Sequence, residues 1–173
     1  MKTETYTDAI ALLKADHRKA EGLFEKFEKA SGSAKQKIAE EVCNELKIHA
    51  MIEEELFYPA LKEKIDEDLL NEAYVEHDGA KVLINDILAG SPNDAFYDAK
   101  VTVLAEDIKH HVKEEEEAGK GMFAQARNAE VDLVALRDAM LARKENLMAQ
   151  LEASGLPPAQ LAVVNAESTV LMP

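Results

Sequence analysis

Apolar residues recur at alternating spacings of three and four through four successive stretches of the chain, the period of helices packed along a common axis. The first stretch carries Ile10, Leu13, His17, Ala20, Phe24 and Phe27, and the second Ile38, Val42, Leu46, His49, Glu53, Leu56 and Ala60. The third carries Leu70, Ala73, His77, Ala80, Ile84 and Ile87, and the fourth Val101, Leu104, Ile108, His111, Glu115, Ala118 and Met122. Helix signals separate them. The first helix spans about Thr7 to Ala30 and stops at "SGS"; Ser33 and Gln36 then form a capping box for a second helix that reaches about Lys64. Asp66 caps a third, which ends at Gly90. Ser91 and Pro92 open a fourth, running to about Arg127 although Gly119 and Gly121 weaken it by about 1 kcal/mol each relative to alanine. Asn128 caps a fifth helix to about Ser154, "GLPP" ends it, and an irregular, weakly packed tail comes after. No strand alternation appears. Long helices with short connections predict an all-α, up-down antiparallel four-helix bundle over residues 1–128, with an additional C-terminal helix and tail over 129–173.

Composition narrows the function. The formal charge is −14 and no basic stretch offsets it, which argues against a nucleic-acid partner and against docking on anionic lipid. Cys43 is the single cysteine, so neither an internal disulfide nor a thiolate metal site is expected. "MKTETYTD" lacks an apolar signal region, and no apolar run approaches the roughly 18 residues of a membrane span, so the expectation is a cytoplasmic protein.

The histidines carry the chemistry. Each of the four seams holds one, near the middle of its helix. In an up-down bundle helix midpoints lie at similar heights, so His17, His49, His77 and His111 should meet in one layer. Glu53 and Glu115 follow a histidine by four residues on the same helical face and should join them. The order also repeats: His17 precedes His49 and Glu53 as His77 precedes His111 and Glu115, and "HAMIEEELF" aligns with "HVKEEEEAG". Two helical hairpins thus predict a pseudo-twofold site. His110 lies about 100° around the helix from His111 and falls on a flank. Glu114, Glu116 and Glu117 fall mainly outside the seam, as solvated surface. A lone core histidine is ordinarily a hydrogen-bonded residue, but a narrow seam holds only about two positions in seven, and chance places four of five histidines there in roughly a few per cent of cases.

Two buried carboxylates without a cation are costly, and no lysine or arginine falls on the seams nearby. A metal cluster satisfies all six groups. Their number exceeds the three or four of a zinc site and suits two ions, with carboxylates bridging and imidazoles at each end. Ligand type leaves iron, zinc, copper and nickel open. The Glu-x-x-His motif of ferritin-like di-iron bundles is absent.

"ADHRKAEGLFEKFE", "HAMIEEELFYPAL", "EHDGAK" and "HHVKEEEEAG" together resemble the successive motifs of the hemerythrin-like, or HHE cation-binding, family over about residues 8–125. The resemblance implies two non-haem irons, with His17, His49, His77 and His111 as terminal ligands and Glu53 and Glu115 as bridging carboxylates. It implies a small diatomic or peroxide ligand, with apolar walls at Leu13, Leu46, Ala73 and Ile108. Oxygen carriers of the family have a further histidine where this chain has Ala73, and an aspartate five residues after the last histidine where Glu115 stands at four. An extra residue such as His110 or a tyrosine can fill an open iron position. The departures favour binding, sensing or detoxifying oxygen, peroxide or nitric oxide in a stress role, with weak peroxide- or nitric-oxide-consuming catalysis. The alternatives are a reversible oxygen carrier or store, and an iron- or redox-responsive interaction module.

Overall fold

The computed structural model describes residues 5–165, and all regular structure among them is helical. Its elements are α1 (Ala9–Lys29), α2 (Gly32–Ile52), a π-helical turn (Glu53–Phe57), α3 (Tyr58–Leu61), α4 (Glu67–Ala89), α5 (Tyr97–Glu116), α6 (Met122–Asn128) and α7 (Leu133–Ser154). Helices α1, α2, α4 and α5 pack in a ring, each against the next, as the bundle, and α7 lies on the outside of α1 and α2. The chain is a four-helix bundle with an additional helix, as the seams predict.

Most helix ends reflect local chemistry. The Asp8 carboxylate accepts from the Ala11 amide at 2.8 Å, and Asp66 caps α4 by accepting from Asp68. Other ends differ from expectation. Gly32, at φ +56°, reverses the chain so soon after α1 that Ser33 already lies inside α2. No capping box forms, and Gln36 donates to Glu40 instead. Ser91 and Pro92 do not start a helix: the Asp94 side chain accepts from the Ser91 amide in a turn, and α5 begins at Tyr97. The fifth helix is capped by Asp132, not Asn128.

The helix expected to reach Arg127 breaks at Glu117. Gly119 takes φ +76°, and at Gly121 a Cβ would lie 2.6–2.7 Å from backbone atoms of Glu114, Glu115 and Glu117. Only glycine permits this close return. It leaves Ala118 exposed and brings Met122 and Phe123 back into the core on α6.

The second seam also shifts. At the π-helical turn the Tyr58 amide bonds the Glu53 carbonyl, five residues back. The extra residue rotates the downstream side chains about the helix axis, so Phe57, Tyr58 and Leu61 are buried while Leu56 and Ala60 are only half-buried.

Two apolar clusters fill the bundle. One contains Leu13, Ile52, Ala73 and Met122; the other contains Ala20, Leu46, Ala80 and Leu104. Each seam histidine lies between a residue of one cluster and a residue of the other along its helix region, so the polar layer is sandwiched between two dry cores.

Candidate metal centre

His17 on α1, His49 on α2, His77 on α4 and His111 on α5 are all buried, as are Glu53 at the π-helical turn and Glu115 in the last turn of α5. His17 and His49 bring their Nε2 atoms to 3.2 Å, and His77 and His111 theirs to 3.1 Å. Each hairpin therefore supplies one imidazole pair. The carboxylates join the pairs. Glu53 Oε2 lies 3.2 Å from His49 Nε2 and 3.3 Å from His77 Nε2. Glu115 lies 3.3 Å from His17 Nε2 through Oε2 and 3.4 Å from His111 Nε2 through Oε1.

The outward nitrogens are held in a closed cycle. Asp16 on α1 lies 3.4 Å from His49 Nδ1 on α2, and Glu54 of the π-helical turn 2.9 Å from His77 Nδ1 on α4. Glu76 on α4 lies 2.6 Å from His111 Nδ1 on α5, and Glu116 on α5 lies 2.7 Å from His17 Nδ1 on α1. A carboxylate only accepts, so each Nδ1 donates its hydrogen outward and each neutral imidazole turns a bare Nε2 lone pair inward. Two such lone pairs facing each other at hydrogen-bond distance need a shared proton or a cation. Glu53 Oε1 and Glu115 Oε2 are buried with no hydrogen-bond partner, an uncommon and costly condition. Nitrogen and oxygen donors from His17, His49, Glu53 and Glu115 fall within 4.8 Å of one another, as do those of Glu53, His77 and His111. These two donor groups could each hold a metal ion, and Glu53 is common to both.

Charge in the metal-free centre points the same way. Burial opposes protonation of His49, but the Glu53 and Asp16 carboxylates outweigh it and raise its pKa to about 10. His111 is likewise raised well above the usual histidine value: burial opposes, and Glu115 and Glu76 prevail. Glu115 is held well below the ordinary carboxylate value, because His111 and His17 override its burial. Protons on imidazoles stand where a cation's charge would otherwise act.

Several expectations need correction. Glu116 is not simply solvated surface: it orients His17 and is itself paired with Arg18. Off the seams, Lys47 and Lys81 are buried as well, and Lys81 pairs with Glu54 and Asp78 rather than with the two central carboxylates. Leu13 and Ala73 belong to the core cluster that also holds Tyr58, whereas Leu46 and Ile108 line a cavity, with Ala20, Ala50, Ala80 and Ile84, that reaches all four histidines. His110 is largely exposed and lies 3.5 Å from Glu76 and 3.1 Å from Glu114.

Tyr58 is the residue that spacing along an α-helix conceals. Its hydroxyl lies 3.0 Å from Glu115 Oε1, 3.4 Å from Glu53 Oε2 and 3.1 Å from His77 Nε2. Five residues after Glu53 it would face away on an α-helix; the π-helical turn brings it inward. Near His17 stands Phe123 instead, its ring stacked 5.8 Å away. The twofold pattern is therefore broken at one position, with a phenol beside His77 and a phenyl beside His17.

Comparisons agree with this geometry. A DNA nickase of Nostoc sp. is 30% identical over 118 residues, 68% of this chain but 33% of that protein, so the chain spans about a third of that relative's length. The crystal structure of a hemerythrin HHE cation binding domain-containing protein from Mycobacterium kansasii superposes with a TM-score of 0.69 at 24% identity, covering 87% of this chain and 95% of that one, a likeness of fold. The family model of the hemerythrin HHE cation binding domain matches residues 8–123. With a match over two thirds of its length, this chain belongs to the hemerythrin HHE cation binding domain family.

Proposed function

We propose that this protein is a non-haem di-iron protein that binds, senses or consumes oxygen, peroxide or nitric oxide in a stress role. The observation that supports this most is the pair of buried carboxylates, each with one oxygen lacking a hydrogen bond, set between two facing imidazole pairs. His17 and His49 would hold one ion and His77 and His111 the other, with Glu53 and Glu115 shared. Two irons there supply up to two electrons to a small oxidant. Tyr58 offers a further oxygen on the His77 side, while Phe123 leaves the His17 side without one. Ions held there would have unequal donor sets, with Tyr58 able to contribute beside His77 and Phe123 offering no donor beside His17.

The surrounding residues set access. Ala20, Leu46, Ala50, Ala80, Ile84 and Ile108 make most of the wall of a cavity against the histidines, with Asp16, Glu45 and Lys81 also lining it, and such a mainly apolar cavity suits a small weakly polar molecule. Tyr58 keeps its proton in the metal-free centre: burial and the adjacent Glu115 and Glu53 charges raise it well above the usual tyrosine value, so its hydroxyl donates to Glu115 Oε1. A cation held beside it would favour the phenolate, and Tyr58 would then be able to offer its oxygen as a ligand. Where the resemblance puts a carrier histidine, Ala73 is buried and offers no donor, which supports consumption or sensing over storage.

Anaerobic reconstitution with ferrous iron should yield two irons per chain by elemental analysis. Stopped-flow mixing with oxygen, peroxide and nitric oxide should then give rapid oxidation or adduct formation. One tightly held zinc with no affinity for iron would defeat the reading, and a long-lived, reversible oxygen complex would move it to a carrier.

A further inference from the structure

Each carboxylate of the orienting cycle has a basic side chain on its outer side. Arg18 pairs with Glu116, and His110 lies near Glu76. For the other two, the outer connections lead beyond the family match at residue 123. Lys144 of α7 pairs with Asp16, the carboxylate that holds His49. Lys81 binds Glu54, which holds His77, at 2.8 Å, and binds Asp78 at 3.1 Å.

Asp78 is 1% exposed and accepts three consecutive backbone amides from the C-terminal tail, those of Ala162, Val163 and Val164, each at 2.7 Å. Other bonds seat the same segment. Asn85 exchanges two hydrogen bonds with Ala159, and Lys47 donates to the carbonyls of Leu156 and Pro157. The tail expected to pack weakly is, over residues 156–164, a strap fastened along α2 and α4.

We infer that the C-terminal extension is a positioning part of the metal centre: Lys144 fixes Asp16 and hence His49, while the strap, through Asp78 and Lys81, fixes Glu54 and hence His77. The inference rests on the metal-binding reading above. Its physical basis is that a ligating imidazole needs its outer nitrogen held to keep both ring orientation and basicity. Lys81 is buried and shared between Glu54 and Asp78, so replacing Asp78 takes away one of the two carboxylates that fix its position, and the strap amides fix Asp78 in turn. Because the coupling is a free energy, it acts in both directions: a seated strap raises metal affinity, and a bound metal tightens the strap.

The test uses the full chain and Co²⁺ as an optical probe, titrated anaerobically against a chromophoric chelator. Lys144→Met and Asp78→Asn should each weaken Co²⁺ binding by about tenfold, the lower end of the range for outer partners of metal ligands, and should shift the Co²⁺ absorption bands. Lys144→Arg should restore wild-type affinity, which a merely structural loss would not predict. Independently of any variant, Co²⁺ should slow hydrogen exchange at the Ala162, Val163 and Val164 amides of the wild-type chain by about the same factor. Strap amides that exchange equally with and without Co²⁺, or variants that bind Co²⁺ like the wild type, overturn the inference while leaving the metal-binding reading intact. A wild-type chain that takes up neither Co²⁺ nor Fe²⁺ overturns both.

Discussion

Raising the pH from 6.5 to 8.5 should destabilise the metal-free protein and not the metal-loaded one. His49 has a folded-state value of about 10, against a usual 6.5, because the Glu53 and Asp16 carboxylates outweigh its burial. A group whose folded value is raised contributes stability that is complete below the unfolded value and is lost as pH climbs toward the folded one. Glu53 and Glu115 shift the other way; their contribution is complete above the usual 4.5 and fades only as pH falls below it, so it is constant in this window. The slope approaches about 1.4 kcal/mol per pH unit once the unfolded histidine is neutral, so the window costs about 2 kcal/mol from His49 alone. For a chain of 173 residues that lowers Tm by about 4–8 °C. Metal binding requires neutral imidazoles and releases their protons, so the loaded protein escapes this loss and its affinity rises with pH. Circular dichroism melts with chelator and with Fe²⁺ under argon, at half-unit steps, measure both curves. A metal-free Tm that stays flat or climbs between pH 6.5 and 8.5 would mean that the imidazoles are not held protonated by the carboxylates, and the electrostatic account of the centre would fail. Glu53→Gln removes the strongest upward influence on His49 and should flatten the metal-free slope.

His111→Ala should lose at least one iron per chain by elemental analysis, whereas His110→Ala, altering an exposed side chain, should keep both; the reverse result would reassign the ligand on α5. Tyr58→Phe should still bind two irons but lose a visible phenolate-to-iron absorption band in the ferric protein, and a band unchanged by the substitution would remove Tyr58 from the ligands. Glu116→Ala should weaken metal binding by about 10–100-fold by taking the acceptor from His17 Nδ1, while Glu117→Ala should bind as the wild type in the same titration. Gly121→Ala should cost about 1–3 kcal/mol in denaturant unfolding, since its Cβ would press on backbone that cannot move aside.

The bundle and its polar layer are legible in the sequence because burial imposes a period. His17, His77 and their apolar neighbours at Leu13, Ala20, Ala73 and Ala80 fit an unbroken α-helix, and all are buried. On the second helix the period fails after Glu53, where the widened turn adds a residue without changing composition. A local signal exists. Pro59 lacks the amide that would bond the Glu55 carbonyl, and its ring crowds that carbonyl, so the turn before it is the place for an α-helix to widen. Tyr58, immediately before that proline, is the residue whose role the widening decides. The break after Glu117 is masked in the same way: Gly119 and Gly121 cost little if read as helix positions, and their real value lies in the positive φ of one and the missing Cβ of the other.

The orienting carboxylates are hidden for a different reason, which bears on how this site is made. Asp16 and Glu76 immediately precede His17 and His77, and Glu54 and Glu116 come directly after Glu53 and Glu115. Rotated off the seam, each looks like surface when its own helix is considered alone. Each acts instead on the histidine of the next helix around the ring, α1 to α2, the turn after α2 to α4, α4 to α5, and α5 to α1. Every seam histidine is therefore positioned by two helices, the one that carries it and the one that holds its Nδ1. Sliding any helix by a turn breaks two of these links, one given and one received. The apolar seams alone do not forbid such a slide, because a three-and-four repeat looks much the same one turn along. The cycle does, and it locks the registers of the four helices at the level where the Nε2 atoms converge. Metal affinity and helix register are thereby one property: whatever loosens a link of the cycle should show both as weaker metal binding and as faster amide exchange on the two helices that the link joins.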